Sequence, residues 1–268
     1  MSIVLADLDG DELVDVLLRM IRSDRVSELT STIDTYEDPI TMGTTFGSVA
    51  KRLYREYQDV THMLVAGDMG LAYCLRKAAL ESDKDTIREL KKLGHGIAFN
   101  TAVNCWPGWG DTGIVIEDAH ISAGIEIATT CLRLARELAL TGREQGGAHW
   151  LIGALELAAG RFVLARVAFE QAEQVYRADE AALPYALMAR GYMALARKAD
   201  PQFRVEGRDT LHIALDRLRL EGSKDALFFA DQIATAERLC SKIVQSGGSS
   251  KTIRWAKRDD VRSGLCGD

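Results

Sequence analysis

Proline is scarce in this sequence: Pro39, Pro107, Pro184 and Pro201 are the only four among 268 residues. Proline removes a helix hydrogen bond and clashes with the preceding turn, so its scarcity leaves helices free to run. No uncharged apolar run reaches the ~18 residues of a membrane-spanning helix, so no membrane partner is expected. No basic stripe stands out, and the formal charge is −6. Nucleic acid is therefore not an expected partner. The five cysteines are scattered and form no C-x-x-C pair, which argues against a disulfide framework or a zinc site and for a reducing, cytoplasmic setting. The opening residues MSIVLADLDGDE are acidic, where a secretory signal needs positive charge. What is present is 47% hydrophobic and 27% charged residues, the balance of a globular chain with a sizeable core.

Apolar residues recur at helical spacing along nearly the whole chain. Leu13, Val14, Leu17, Leu18 and Ile21 mark a helix over about 11–21, with Asp9 or Asp11 placed to cap it. Val26, Leu29 and Ile33 mark a second over 25–36, ended by Asp38-Pro39. A third covers 47–66, and Gly67-Asp68 reads as the turn before a fourth over 69–82. Asp83 or Asp85 caps a fifth that reaches Val103. Residues 104–112, NCWPGWGDT, interrupt the pattern. Further helices are expected over 116–140, 144–159, 161–177, 181–197, 207–220 and 224–245. The chain thus reads as one all-helical domain over 1–245, with a flexible tail over 246–268 that carries five basic and three acidic side chains.

The segment from Ala148 to Ala172, AHWLIGALELAAGRFVLARVAFEQA, places small residues where two helices of a hairpin would cross closely. Gly153 sits in the first helix, Gly160 at the turn, and Ala165, Phe169 and Ala172 in the second helix. This segment resembles the tetratricopeptide repeat, a two-helix unit of about 34 residues. Glu156 stands where that repeat carries an aromatic residue. Gly67, Ala72 and Ala79 align a second unit, and PYALMARGYMALA, with Gly191, begins a third. The resemblance implies an all-α fold of antiparallel helix pairs stacked as a right-handed superhelix, with a non-repeat helical bundle as the alternative. It also implies a concave groove that holds a peptide or a partner protein. Carried onto this sequence, groove positions fall on Tyr57 and Thr61, on Trp150, Ala154 and Leu157, and on Tyr185, Met188 and Tyr192.

The sequence offers three other candidates for chemistry. IVLADLDGDE resembles the first motif of haloacid-dehalogenase-like phosphatases, in which Asp7 would be the nucleophile and Asp9 the general acid. Asp11 replaces the expected threonine and no strand–helix alternation follows, so these acids read as a helix N-terminus. Asp59/His62, Glu117/His120 and Asp209/His212 each place an acid and a histidine on one helical face; they read as metal ligands or as capping contacts. The stretch Asn100–Asp111 holds Asn104, Cys105, Trp106 and Trp109 around a Pro-Gly turn. Its tryptophans either anchor a ligand or plug the helical stack.

The sequence accordingly favours a cytoplasmic scaffold that binds a protein or peptide, with homo-oligomerisation possible and no cofactor implied. The alternative is a helical enzyme, or a small-ligand or metal-binding protein, with its site near the Asn100–Asp111 loop and the acid/histidine pairs.

Overall fold

The structure is a computed structural model that describes residues 8, 10–33, 36–245 and 252–254. Asp7, Asp9 and most of the expected tail lie outside these residues. The described chain is all-α apart from one short ribbon: β1 (Val115–Glu117) pairs antiparallel with β2 (Thr252–Arg254), Ile116 opposite Ile253. The helices fall into two compact units.

The first unit comprises residues 1–105 and 126–139. It holds α1 (Gly10–Arg22), α2 (Val26–Ile33), α3 (Pro39–Arg55), α4 (Val60–Leu80) and α5 (Lys84–Val103). It also takes the C-terminal part of α6 (Asp118–Glu137). Aspartates start three of these helices. Asp38, Asp59 and Asp83 each accept backbone N–H groups of the first turn, which satisfies donors that have no partner within the helix. Asp11 lies in the first turn of α1, where a negative charge suits the helix dipole. Leu13, Leu17 and Ile21 of α1 are fully buried, each contributing about 1.5–3 kcal/mol of apolar burial.

Glycines let α3, α4 and α5 approach closely. A Cβ on Gly43 would lie 2.6 Å from Leu93 and 2.7 Å from Cys74; one on Gly70 would lie 2.6 Å from Phe46. Gly67 corrects the sequence expectation. It is no turn but the middle of α4, and a Cβ there would meet Thr101 at 2.1 Å. The glycine is used for close packing against α5. The break falls at 56–59, where Gln58 takes φ 54° without being a glycine. The third helix therefore begins at Pro39, not Gly47, and Asp38-Pro39 starts α3 as well as following α2.

The second unit comprises residues 106–125 and 140 onward. It contains α7 (Gly142–Ala158), α8 (Phe162–Arg177), α9 (Leu183–Ala199), α10 (Arg204–Glu221) and α11 (Lys224–Gln245). Thr141 and Glu144 form a reciprocal capping box at the start of α7. Gly160, at φ 72°, turns the chain into α8. The buried carboxylate of Glu156 accepts from Arg161 across this turn.

Contacts fix the helix directions. Gly146 meets Tyr176 and Gly153 meets Phe169, so residue numbers rise on α7 as they fall on α8: the pair is antiparallel. Gly191 near Ala214 and Gly207 against Lys198 show the same for α9 and α10. By contrast, Arg143 contacts Tyr185 and Trp150 contacts Tyr192, a constant offset of 42 residues that makes α7 and α9 parallel. Tyr185 with Asp225 and Gly191 with Ile233 make α9 and α11 parallel as well. The second unit therefore has parallel helices α7, α9 and α11, with α8 and α10 running the opposite way. Where the sequence reads one helical body over 1–245, the described helices group into two, and the expected tail contributes strand β2.

Candidate functional site

The ten residues expected to bind a partner are distributed over both units. Tyr57 lies in the turn after α3, not on a groove-lining helix. It is 38% exposed, with the Arg22 guanidinium 4.1 Å from its ring centre. Thr61 is exposed on the first turn of α4. Asn104 caps the C-terminus of α5 and is half-buried.

The other seven belong to the second unit, and most of them form its core. Trp150, Leu157, Tyr185, Met188 and Tyr192 are all buried. This corrects the expectation of an exposed aromatic groove. Helical periodicity identifies the stripe, but that stripe packs between helices. Tyr192 is its centre, with ring centres of Trp150 and Phe169 at 5.4 Å and of Trp106 at 6.1 Å. The edge-on geometry of Trp150 against Tyr192 suits aromatic quadrupoles. Trp106 is buried, whereas Trp109 is half-buried with its ring 6.0 Å from that of Trp150. Trp106, just before the 3-10 turn Pro107–Trp109, and Trp109, its last residue, thus complete the aromatic core.

Two buried polar atoms of this unit, Trp150 Nε1 and Gln232 Oε1, lack a hydrogen-bond partner among the described residues. Each unmet buried group costs about 1–3 kcal/mol. Burial pushes the Tyr192 phenol well above its ordinary value, although the Trp106 indole acts to lower it. At one end of α7, α9 and α11 the polar groups are met. Arg143 donates to the Tyr185 hydroxyl, which donates to Asp225 Oδ2 at 2.9 Å. The Tyr185 phenol is pushed up to about 12, first by burial and then by its bond to Asp225, so it serves as a neutral tie between helices.

The acid/histidine pairs are local contacts in the two cases where the structure gives the partners. Asp59 caps α4 through the His62 backbone N–H at 3.0 Å and lies 2.7 Å from His62 Nδ1. Burial opposes ionisation of Asp59, but the His62 bonds together hold its carboxyl below the usual range. The Glu117 backbone N–H donates to His120 Nδ1 at 3.2 Å. Asp209 and His212 lie on the exposed side of α10. Among the described residues, no group of three or more His, Cys, Asp or Glu side chains is placed to hold a metal ion. The Cys105 thiol is buried and pushed up to about 12 by that burial, which leaves it protonated at neutral pH.

The surface that the sequence reading missed is on α8 and α10. Val163, Leu164 and Val167 of α8 are 56%, 52% and 50% exposed, and Val205, Ile213 and Leu220 of α10 are more than half exposed. These six are most of the eleven large apolar side chains exposed among the described residues, so the outward apolar surface concentrates on α8 and α10. Arg166 reaches from α8 to lie 5.0 Å from the Phe203 ring centre, just before α10. A pocket of about 220 Å³ opens beside the start of α10, between α9 and α11. The sequence signal was present in FVLARVAF, where apolar residues circle the first turns of α8 beyond the width of one buried face. No helix among the described residues is long and apolar enough to cross a membrane. Comparison with protein-family models, curated proteins and solved structures found no match for the chain.

Proposed function

We propose that this chain is a scaffold that holds a protein or peptide partner, with α7–α11 arranged as a short right-handed superhelical stack. The alternation of parallel helices α7, α9 and α11 with antiparallel α8 and α10 supports the stack. So does the nesting of Gly146 and Gly153 against aromatic rings. The expected inner aromatics are core, so the partner surface is assigned to the outer helices instead. The observation that carries this reading is the half-exposed cluster Val163, Leu164 and Val167. Adjacent apolar side chains left in water on a soluble fold mark an interaction surface. The buried thiols of Cys74, Cys105, Cys131 and Cys240, none of them in a disulfide among the described residues, support a reducing, cytoplasmic setting.

The test is site-specific photo-crosslinking in lysate of the source cells. A crosslinking side chain at Val167 is expected to yield one discrete adduct. The same group at exposed Gln174, on the polar half of α8, is expected to yield none. Leu164→Asp should remove the Val167 adduct. An adduct of twice the chain's mass would make the partner a second copy. No discrete adduct, or equal yields from both positions, would refute the assignment.

A further inference from the structure

We propose that the pocket between α9, α10 and α11 receives an apolar side chain from an acidic peptide, with Arg204 holding the neighbouring carboxylate. The inference rests on the scaffold reading but concerns a different surface of the same unit.

Size decides the kind of ligand first. At about 220 Å³ the pocket is smaller than the ~300–1,000 Å³ of ordinary small-molecule and cofactor sites. It matches the scale at which an interface takes a single anchoring side chain. Leu195, Ala199 and Val244 supply an apolar lining, so the anchor is apolar.

Charge decides the rest. Three charged side chains line the pocket: Lys198, Glu237 and Arg204. Lys198 donates to Glu237, and the two charges offset each other. Arg204 is exposed, and among the described residues the ion pairs around it join Arg197 to Glu206, Lys198 to Glu237 and Arg208 to Asp209 without it. Arg166 likewise joins none, and its guanidinium lies against Phe203, the residue next to Arg204. Two arginines with no ion-pair partner among the described residues therefore lie beside Phe203, in a chain whose formal charge is −6. Arginine presents a planar donor fork suited to carboxylates. A peptide with a large apolar residue between acids satisfies both the lining and the rim. A basic peptide would meet like charge at the rim, and an uncharged one would leave the arginines unmatched.

Fluorescence anisotropy on the full chain tests this, using a labelled octapeptide Asp-Glu-Asp-Leu-Phe-Asp-Glu-Asp. Its counterpart carries Lys and Arg in place of the acids. The acidic peptide is expected to bind saturably and to weaken as salt is raised, while the basic peptide does not bind. Arg204→Glu should weaken binding at least about tenfold. Ser241→Trp, at an exposed position on the pocket wall, should do the same by filling it. Both changes are on the surface, so melting temperatures should match the parent protein. Equal binding of the two peptides, parent-like binding by either variant, or no saturable binding up to millimolar peptide would overturn the proposal. A dimer of the chain alone that Ser241→Trp dissolves would assign the pocket to a second copy and overturn it too. Crosslinking from Val167 without acidic-peptide binding would sink this inference and leave the scaffold standing; failure of both would sink both.

Discussion

Replacing Gly153 with alanine tests how α7 and α8 fit together. In an isolated helix this change stabilises, because alanine is favoured over glycine by about 1 kcal/mol. Here the new Cβ would lie 2.7 Å from two ring carbons of Phe169. That ring is fully buried, and the Tyr192 ring, centred 5.4 Å away, lies against it. Either the ring or the helix must move, and overpacking of this kind costs about 1–3 kcal/mol. The clash is set against that propensity gain, and the expected net loss is up to about 2 kcal/mol. Urea unfolding followed by tryptophan fluorescence is the suitable assay, since Trp106, Trp109 and Trp150 all report on the second unit. Gly142→Ala is the matched control. A Cβ there meets Val175 at an ordinary 3.7 Å, so the change should stay within about 0.5 kcal/mol. Phe169→Leu should remove the penalty, making the double variant no less stable than Phe169→Leu alone and giving a coupling of about 1–3 kcal/mol. A stabilised Gly153→Ala protein, additive with Phe169→Leu, would mean that the helices do not nest at this point.

Three further outcomes are expected. Gln232→Met removes a buried acceptor that has no partner among the described residues; urea unfolding should show unchanged or higher stability, and a loss above about 1 kcal/mol would mean the amide oxygen is bonded in solution. Asp225→Ala takes the acceptor from the Tyr185 hydroxyl and should cost about 1 kcal/mol, with no change if Arg143 alone holds that ring. Asp38→Ala should cost the first unit about 1 kcal/mol at neutral pH through loss of a helix cap. The Thr41 hydroxyl, then its backbone N–H, hold the Asp38 carboxyl below its ordinary value, so its stabilising effect is present above about pH 4 and is lost as pH falls through the lower folded value. Thermal unfolding at several pH values should show wild type and variant converging in acid; a gap that persists would show that the carboxylate's charge is not what caps α3.

The helical architecture was legible because its punctuation is local. Gly160 reads as a turn and takes φ 72° there, and of the two candidate caps Asp83 and Asp85 it is Asp83 that accepts from the Thr86 N–H. Gly67 misled because glycine serves two purposes, and only the neighbouring Thr101 shows that this one permits close packing. The break at 56–59 carries neither glycine nor proline, so Gln58 adopts a left-handed conformation that composition does not announce. Trp150 and Tyr192 were found by periodicity, yet periodicity gives a face and not what covers it. Whether that face meets solvent depends on α8 and α9 being brought together, which is a tertiary fact. The reverse holds for Val163, Leu164 and Val167. FVLARVAF is apolar around the first turns of α8, and the packing of α8 shows which part stays outside, because its buried side is filled by Ala165, Ala168, Phe169 and Ala172.

Hydroxyl-radical footprinting of the folded chain, read residue by residue by mass spectrometry, separates an aromatic core from an aromatic binding face. Aromatic side chains are intrinsically more reactive than aliphatic ones, so protection of an aromatic ring is informative. Trp150, Phe169 and Tyr192 should stay protected until the second unit unfolds, while Val163, Leu164 and Val167 are oxidised in the native state and Tyr57 serves as the exposed reference. Oxidation of Trp150 and Tyr192 at the rate of Tyr57, with Val163 and Val167 protected, would return the partner surface to the inner helices and contradict the assignment made here.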